Sequence, residues 1–142
     1  MPSRIDVLAM SFIETIRRVK EHMTGRDALE GGCTLVQLGL LWRISQVGNP
    51  TMKDVASFMR AAPPSATGVI NGMVKAKLLK RAVDKGDRRS VRLRITPHGT
   101  RVLNCGWKMM LARMRKLLGT LSREDQSRLS LILARLSVAF TE

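Results

Sequence analysis

The chain has 142 residues, 44% of them hydrophobic, and carries 25 Lys and Arg against 11 Asp and Glu for a formal charge of +14. That length buries one core in a single folding unit spanning 1–142, and a field of that sign draws in polyanions: nucleic acid first, although an anionic membrane face feels it too. No apolar N-terminal run precedes a cleavage-like site, no stretch approaches the roughly 20 apolar residues of a membrane span, and Cys33 and Cys105 with two histidines support neither a disulfide framework nor a zinc site; the expectation is a soluble, cytoplasmic protein without cofactor, held by packing alone.

The first predicted element is a helix over 1–22. Ile5, Leu8, Phe12, Ile16 and Val19 recur at three- and four-residue spacing, which puts an apolar stripe opposite Arg17, Arg18 and Lys20. Residues 23–32 contain three glycines and no periodicity, as a connector does. Thr34 followed by Gln37 is a capping-box pattern that opens a second helix with Leu35, Leu38, Leu41 and Trp42 inward. Gly48-Asn49-Pro50 ends it, because proline cannot continue the backbone hydrogen bonding.

Thr51 with Asp54 opens a third helix, whose inward residues are Val55, Phe58 and Met59. In the turn that follows, Pro64 pushes Pro63 toward an extended conformation and itself suits the first turn of a fourth helix, from 64 to about 77. Ala66, Val69, Ile70, Met73 and Val74 form its buried stripe, with Ser65, Gly68, Asn71, Gly72 and Lys75 on the opposite side. Hydroxyls and an amide on that side suit base edges or phosphates, and two glycines let the backbone come close, at about 1 kcal/mol each in helix propensity. Taken alone, this pattern also fits an ordinary solvated helix face.

A basic hairpin changes that balance. Val91, Leu93 and Ile95 alternate with Arg92 and Arg94, so one strand face packs inward while two guanidinium groups point out. From 75 to 101 the acids are Asp84 and Asp87, against ten Lys and Arg. Such an imbalance beside a candidate recognition helix suits a phosphate-tracking stripe. An arginine of the tip could enter a narrow minor groove, with Asp87 orienting Arg88 or Arg89 by an ion pair.

Thr96 caps a further helix with Pro97 at its first position. Val102, Leu103, Cys105, Met109, Met110, Met114, Leu117 and Leu118 make it apolar on more than one side. After Gly119, Ser122 with Asp125 restarts a helix striped by Leu129, Ile132, Leu133, Leu136 and Phe140. A monomer leaves part of this surface wet, which points to a two-fold homodimer.

The run 34–99 resembles the winged-helix core of the MarR family of transcriptional regulators. The family's Leu-Val-x-Arg, Asp-x-x-Asp-Arg-Arg and Leu-Thr-x-x-Gly correspond to Leu78-Leu79-Lys80-Arg81, Asp84-Lys85-Gly86-Asp87-Arg88-Arg89 and Ile95-Thr96-Pro97-His98-Gly99. The resemblance implies a mostly α fold with a small β hairpin, a winged helix-turn-helix flanked by dimerisation helices over 1–22 and 97–142. It implies a homodimeric repressor on double-stranded DNA at a palindromic operator, with room for a small apolar or phenolic effector and no membrane partner. Base contacts then fall to Ser65, Thr67, Gly68, Asn71 and Lys75, and phosphate or minor-groove contacts to Lys85, Arg88 and Arg89. Two positions depart from the pattern: Gly68 replaces a frequent arginine, and Lys77 replaces a glycine at a site where left-handed backbone is easy.

No Ser-His-Asp order, glycine-rich phosphate loop or paired-carboxylate cluster suggests an enzyme. His22 and His98 suit surface or capping positions. Cys33 and Cys105 suit buried, inert thiols better than redox sensors, and Trp42, Trp107 and the methionines suit core or interface packing. An architectural or RNA-binding winged-helix protein shares the charge and fold, and stays open as the alternative.

Overall fold

The computed structural model describes residues 1–24, 33–60 and 62–140. Its order is α1 (Arg4–Thr24), α2 (Leu35–Val47), α3 (Met52–Met59), α4 (Pro63–Lys75), β1 (Leu79–Val83), β2 (Val91–Ile95), α5 (Pro97–Leu118) and α6 (Arg123–Ala139). It is a mostly helical fold with one small antiparallel hairpin. The chain divides into two compact units, Met1–Trp107 and Lys108–Glu142. Most of the expected connector, 25–32, lies outside the described residues.

Local capping chemistry sets the helix starts in the first unit. Thr34 accepts the Gln37 amide at 3.2 Å while the Gln37 side chain accepts the Thr34 amide at 3.0 Å. Thr51 and Asp54 repeat the exchange at 3.2 and 2.8 Å. Each pair satisfies two backbone donors that a helix start leaves open. The α2 helix ends at Gly48, whose φ of 94° is easy only for glycine.

Two boundaries of α4 differ from expectation. Pro63 is its first residue rather than an extended one, and Ala62 bears the extended conformation, with ψ 143°. Two prolines in the first turn cost no hydrogen bond, because those amides have no partner within the helix. At the other end the helix stops at Lys75, since Lys77 turns left-handed with φ 58°. The Leu78 amide bonds the Met73 carbonyl at 2.9 Å and the Lys77 amide bonds Val74 at 3.0 Å. This is the paired-bond termination that normally calls for glycine.

The core of this unit joins α2, α3, α4 and the hairpin. Leu41, Ile44, Val55, Ile70, Met73 and Leu93 are fully buried, and each such side chain contributes roughly 1.5–3 kcal/mol. Trp42 does not join them as expected; it lies 100° around α2 from Leu41, remains 40% exposed, and meets Trp107 edge-to-face at 6.3 Å. Phe58, Met59, Val69 and Val74 are half-buried.

The strands pair Leu79 with Ile95, Arg81 with Leu93 and Val83 with Val91. A short bridge from Thr51 to Arg92 and a 2.8 Å bond from the Leu93 amide to the Pro50 carbonyl tie the hairpin to the start of α3. Val91, expected inward, is exposed because its end of the strand projects toward the tip, past the buried Leu93. Thr96 closes the base: its hydroxyl donates to the Lys77 carbonyl at 2.5 Å and accepts the Gly99 amide at 2.9 Å.

In the second unit, Ser122 accepts the Asp125 amide at 3.1 Å and starts α6. The Gln126 side chain donates to the Leu118 and Leu121 carbonyls at 3.2 and 3.1 Å, satisfying acceptors at the end of α5. Leu129 is half-buried, while Ile132, Leu133, Leu136 and Phe140 stay exposed.

Candidate nucleic-acid interface

One face of α4 carries the expected reading residues. Ser65, Thr67, Gly68, Asn71 and Lys75 are all exposed, while Ala66, Ile70 and Met73 anchor the opposite side in the core. A Cβ placed on Gly68 or Gly72 meets no heavy atom within 4 Å. Protein packing therefore does not require glycine at either position. Asn71 is not a lone amide: its Oδ1 accepts a hydrogen bond from the Arg81 guanidinium on β1, a pairing ten residues apart that helix periodicity does not reveal.

The wing tip is organised by its two carboxylates acting on backbone. Asp84 Oδ1 accepts the Gly86 amide at 3.0 Å and Asp87 Oδ1 accepts the Arg89 amide at 2.9 Å. Two backbone bonds, Asp84 to Ser90 at 3.0 Å and Ser90 to Asp87 at 2.9 Å, complete the turn. The expected ion pair from Asp87 to Arg88 or Arg89 is absent among the described residues. An aspartate two residues before an amide folds its short side chain back to that amide more readily than it reaches a long, solvated guanidinium.

The ion pair of the wing is instead Asp84 with Arg92, at 2.8 Å. Arg92 was expected outward, yet it is half-buried and donates from Nη1 to the Asn49 carbonyl at 3.1 Å. The Gly86 amide and then the Arg92 guanidinium hold the Asp84 carboxyl below the usual carboxylate range. With Asp84 neutralised internally and Asp87 turned to backbone, Lys85, Arg88 and Arg89 stay exposed and outside every ion pair among the described residues. The opposite-charge relation of Asp84 and Arg92 could have been found from the sequence once the hairpin register was assumed.

Other groups offer less chemistry. Cys33 is buried, donates to the Thr34 carbonyl at 3.5 Å, and has its thiol pushed up by burial, which disfavours the reactive thiolate. Cys105 is half-buried. His22 and His98 are exposed, His98 in the first turn of α5. Among the described residues no group of three or more His, Cys, Asp or Glu could hold a metal, and no helix is long and apolar enough to cross a membrane. An open groove of about 700 Å³ runs between α2 and α3, where the Arg43 guanidinium lies 5.1 Å over the Phe58 ring.

The MarR family model matches residues 33–91, from the buried cysteine through the whole wing tip. Over those residues the chain is similar to the MarR family. That segment spans α2 to the tip of the hairpin, the part of the fold that holds α4 and the wing. Over 66 residues the chain is 33% identical to the uncharacterized HTH-type transcriptional regulator YsmB of Bacillus subtilis (strain 168), a stretch covering 46% of this chain and 44% of that protein. The chain thus aligns with under half the length of that relative. Two solved structures share its fold over nearly the full length. One is the crystal structure of MarR, with a TM-score of 0.78 and 17% identity over 99% of this chain and 95% of that one. The other is the transcriptional repressor CouR bound to a 23-mer DNA duplex, with a TM-score of 0.75 and 19% identity over 96% of this chain and 99% of that one.

Proposed function

We propose that this chain is a MarR-like, homodimeric transcriptional repressor that occupies a palindromic operator. Residues 34–99 contact DNA, with α4 in the major groove through Ser65, Thr67, Gly68, Asn71 and Lys75. The wing supplies phosphate or minor-groove contacts through Lys85, Arg88 and Arg89. The observation that carries this is the tip: both of its carboxylates are engaged within the wing while its three cations face outward. The CouR likeness supports it, since that repressor is bound to a duplex.

Dimerisation through 1–22 and 97–142 is supported by apolar surface that one copy leaves in water. Ile5, Leu8 and Phe12 of α1, and Ile132, Leu133 and Phe140 of α6, are all exposed. Apolar stripes of this extent in a monomer mark an interaction surface. A two-fold pair would present two α4 helices to half-sites about one DNA turn apart. Release of DNA by a small apolar or phenolic effector completes the proposal, with cytoplasmic action on the genome.

A non-specific architectural or RNA-binding protein is the second reading, favoured by Gly68 and Gly72, which offer no side chain to a base edge. A salt-titrated binding assay separates the two: an operator recovered from genomic DNA should bind at least about a thousandfold tighter than random duplex. Equal affinity for both sinks the repressor. Replacing Arg88 and Arg89 together by alanine should weaken both affinities and lower the salt slope by about 2.

A further inference from the structure

The pairing of Asn71 with Arg81 bears on which base is read. An isolated asparagine on a recognition helix reads adenine, accepting from N6 through its oxygen while donating to N7. Here that oxygen is engaged. A guanidinium only donates, so the Asn71 atom facing Arg81 has to be Oδ1, and the amide nitrogen with its two hydrogens is the end left to the groove.

The neighbours of this amide reinforce its character. Gly68 and Gly72, one turn before and one residue after, present no side chain, and Lys75, one turn further on the same exposed face, is again a pure donor. Arg81 itself is exposed and has further N–H groups beyond the one given to Asn71. The C-terminal half of the α4 face is therefore an all-donor surface formed by the Asn71 amide nitrogen, Arg81 and Lys75. In the major groove guanine presents two acceptors, O6 and N7, whereas adenine presents one acceptor beside a donor that would oppose this surface.

We propose that Asn71 and Arg81 act as one donor unit that selects guanine in each half-site, with Arg81 the specificity-determining residue because it suppresses the adenine-reading mode of Asn71. This rests on the operator proposal above and assigns chemistry to one position of it.

The test is selection of bound duplexes from a randomised library by the full-length protein and by Asn71→Ala and Arg81→Met. The wild-type protein should enrich guanine at one position of each half-site, and Asn71→Ala should lose that preference alone. In Arg81→Met the released oxygen should convert the preference at the same position to adenine. Replacing the guanine by 7-deazaguanine, which lacks the N7 acceptor, should weaken wild-type binding about tenfold. Adenine selected by the wild-type protein at the position Asn71→Ala abolishes would overturn the assignment, as would guanine retained in either variant. A wild-type protein that enriches no motif overturns the operator proposal itself, and the assignment with it.

Discussion

Arg92 and Asp84 join the wing to the body of the first unit: the guanidinium meets the carboxylate at 2.8 Å and, through a second nitrogen, the Asn49 carbonyl between α2 and α3 at 3.1 Å. One side chain thereby fixes the tip relative to the start of α3. Arg92→Leu should leave the core intact and the tip loosely held, so that binding has to order it. Affinity for specific and random duplexes should fall together, by about tenfold, equivalent to roughly 1.4 kcal/mol. Fluorescence anisotropy with both duplexes reads this; a loss confined to the specific duplex would place Arg92 in base recognition instead.

The same carboxylate makes the tip acid-sensitive. Asp84 is held below its ordinary range by the Gly86 amide and by Arg92, and a carboxyl lowered on folding stabilises the fold above its unfolded value of about 3.9. Its contribution is fully present at neutral pH and is lost as the pH falls through the folded value. Amide resonances of Gly86 and Ser90 should hold steady from neutral pH down through the ordinary carboxylate range and shift together only in more acidic solution, as the carboxyl protonates. Arg92→Leu should move that transition upward, and an unmoved transition removes Arg92 as a cause.

Gly99 sits where α5 begins against the base of β1. A Cβ there would lie 2.1 Å from the Leu78 carbonyl oxygen and 2.9 Å from Ile95 Cγ2. Backbone cannot yield as a side-chain tip does, so Gly99→Ala should cost about 2–3 kcal/mol. Urea unfolding should show the midpoint falling at constant slope. A change under about 0.5 kcal/mol, the range of ordinary surface substitutions, would mean that the close approach is not maintained in solution.

Lys77 holds a left-handed conformation at φ 58°. Glycine relieves the clash of Cβ with the following carbonyl, worth about 1–2 kcal/mol, against a loss of backbone entropy of about 0.5–1 kcal/mol. Lys77→Gly should therefore stabilise the protein by about 0.5–1 kcal/mol, since the carbonyl bonded by Thr96 is kept. Thermal unfolding measures it; destabilisation would show that the lysine side chain makes a favourable interaction.

Gly68→Ala with Gly72→Ala should part stability from binding. Neither Cβ meets a neighbour within 4 Å, so helix propensity should favour the doubly substituted protein by about 1 kcal/mol per site. If α4 lies close in the major groove, two methyl groups should weaken binding of an operator more than of random duplex. Equal binding alongside higher stability would place this face away from the bases.

The helix starts and the inward stripe of α4 were visible in the chain because they obey local rules. Thr34 with Gln37, Thr51 with Asp54 and Ser122 with Asp125 are caps three residues apart, and the α4 stripe follows the helical period. The left-handed backbone at Lys77 was visible only through the resemblance, which places a glycine there; the helical period alone ran α4 on to about 77. The exposed positions of Ser65, Gly68, Asn71 and Lys75 follow from the same period.

The sequence by itself determined the elements, their caps and the segregation of charge onto the wing, because these depend on neighbours within a turn of helix or a pleat of strand. Only the tertiary structure decided which partners the polar groups took. Asp84 had ten cations nearby in sequence and chose Arg92, eight residues away, because the hairpin register and the α2–α3 turn converge there. Asn71 met Arg81 across ten residues because β1 packs beside α4. A hydrogen bond spanning two elements depends on how they pack, and periodicity within one element carries no record of that.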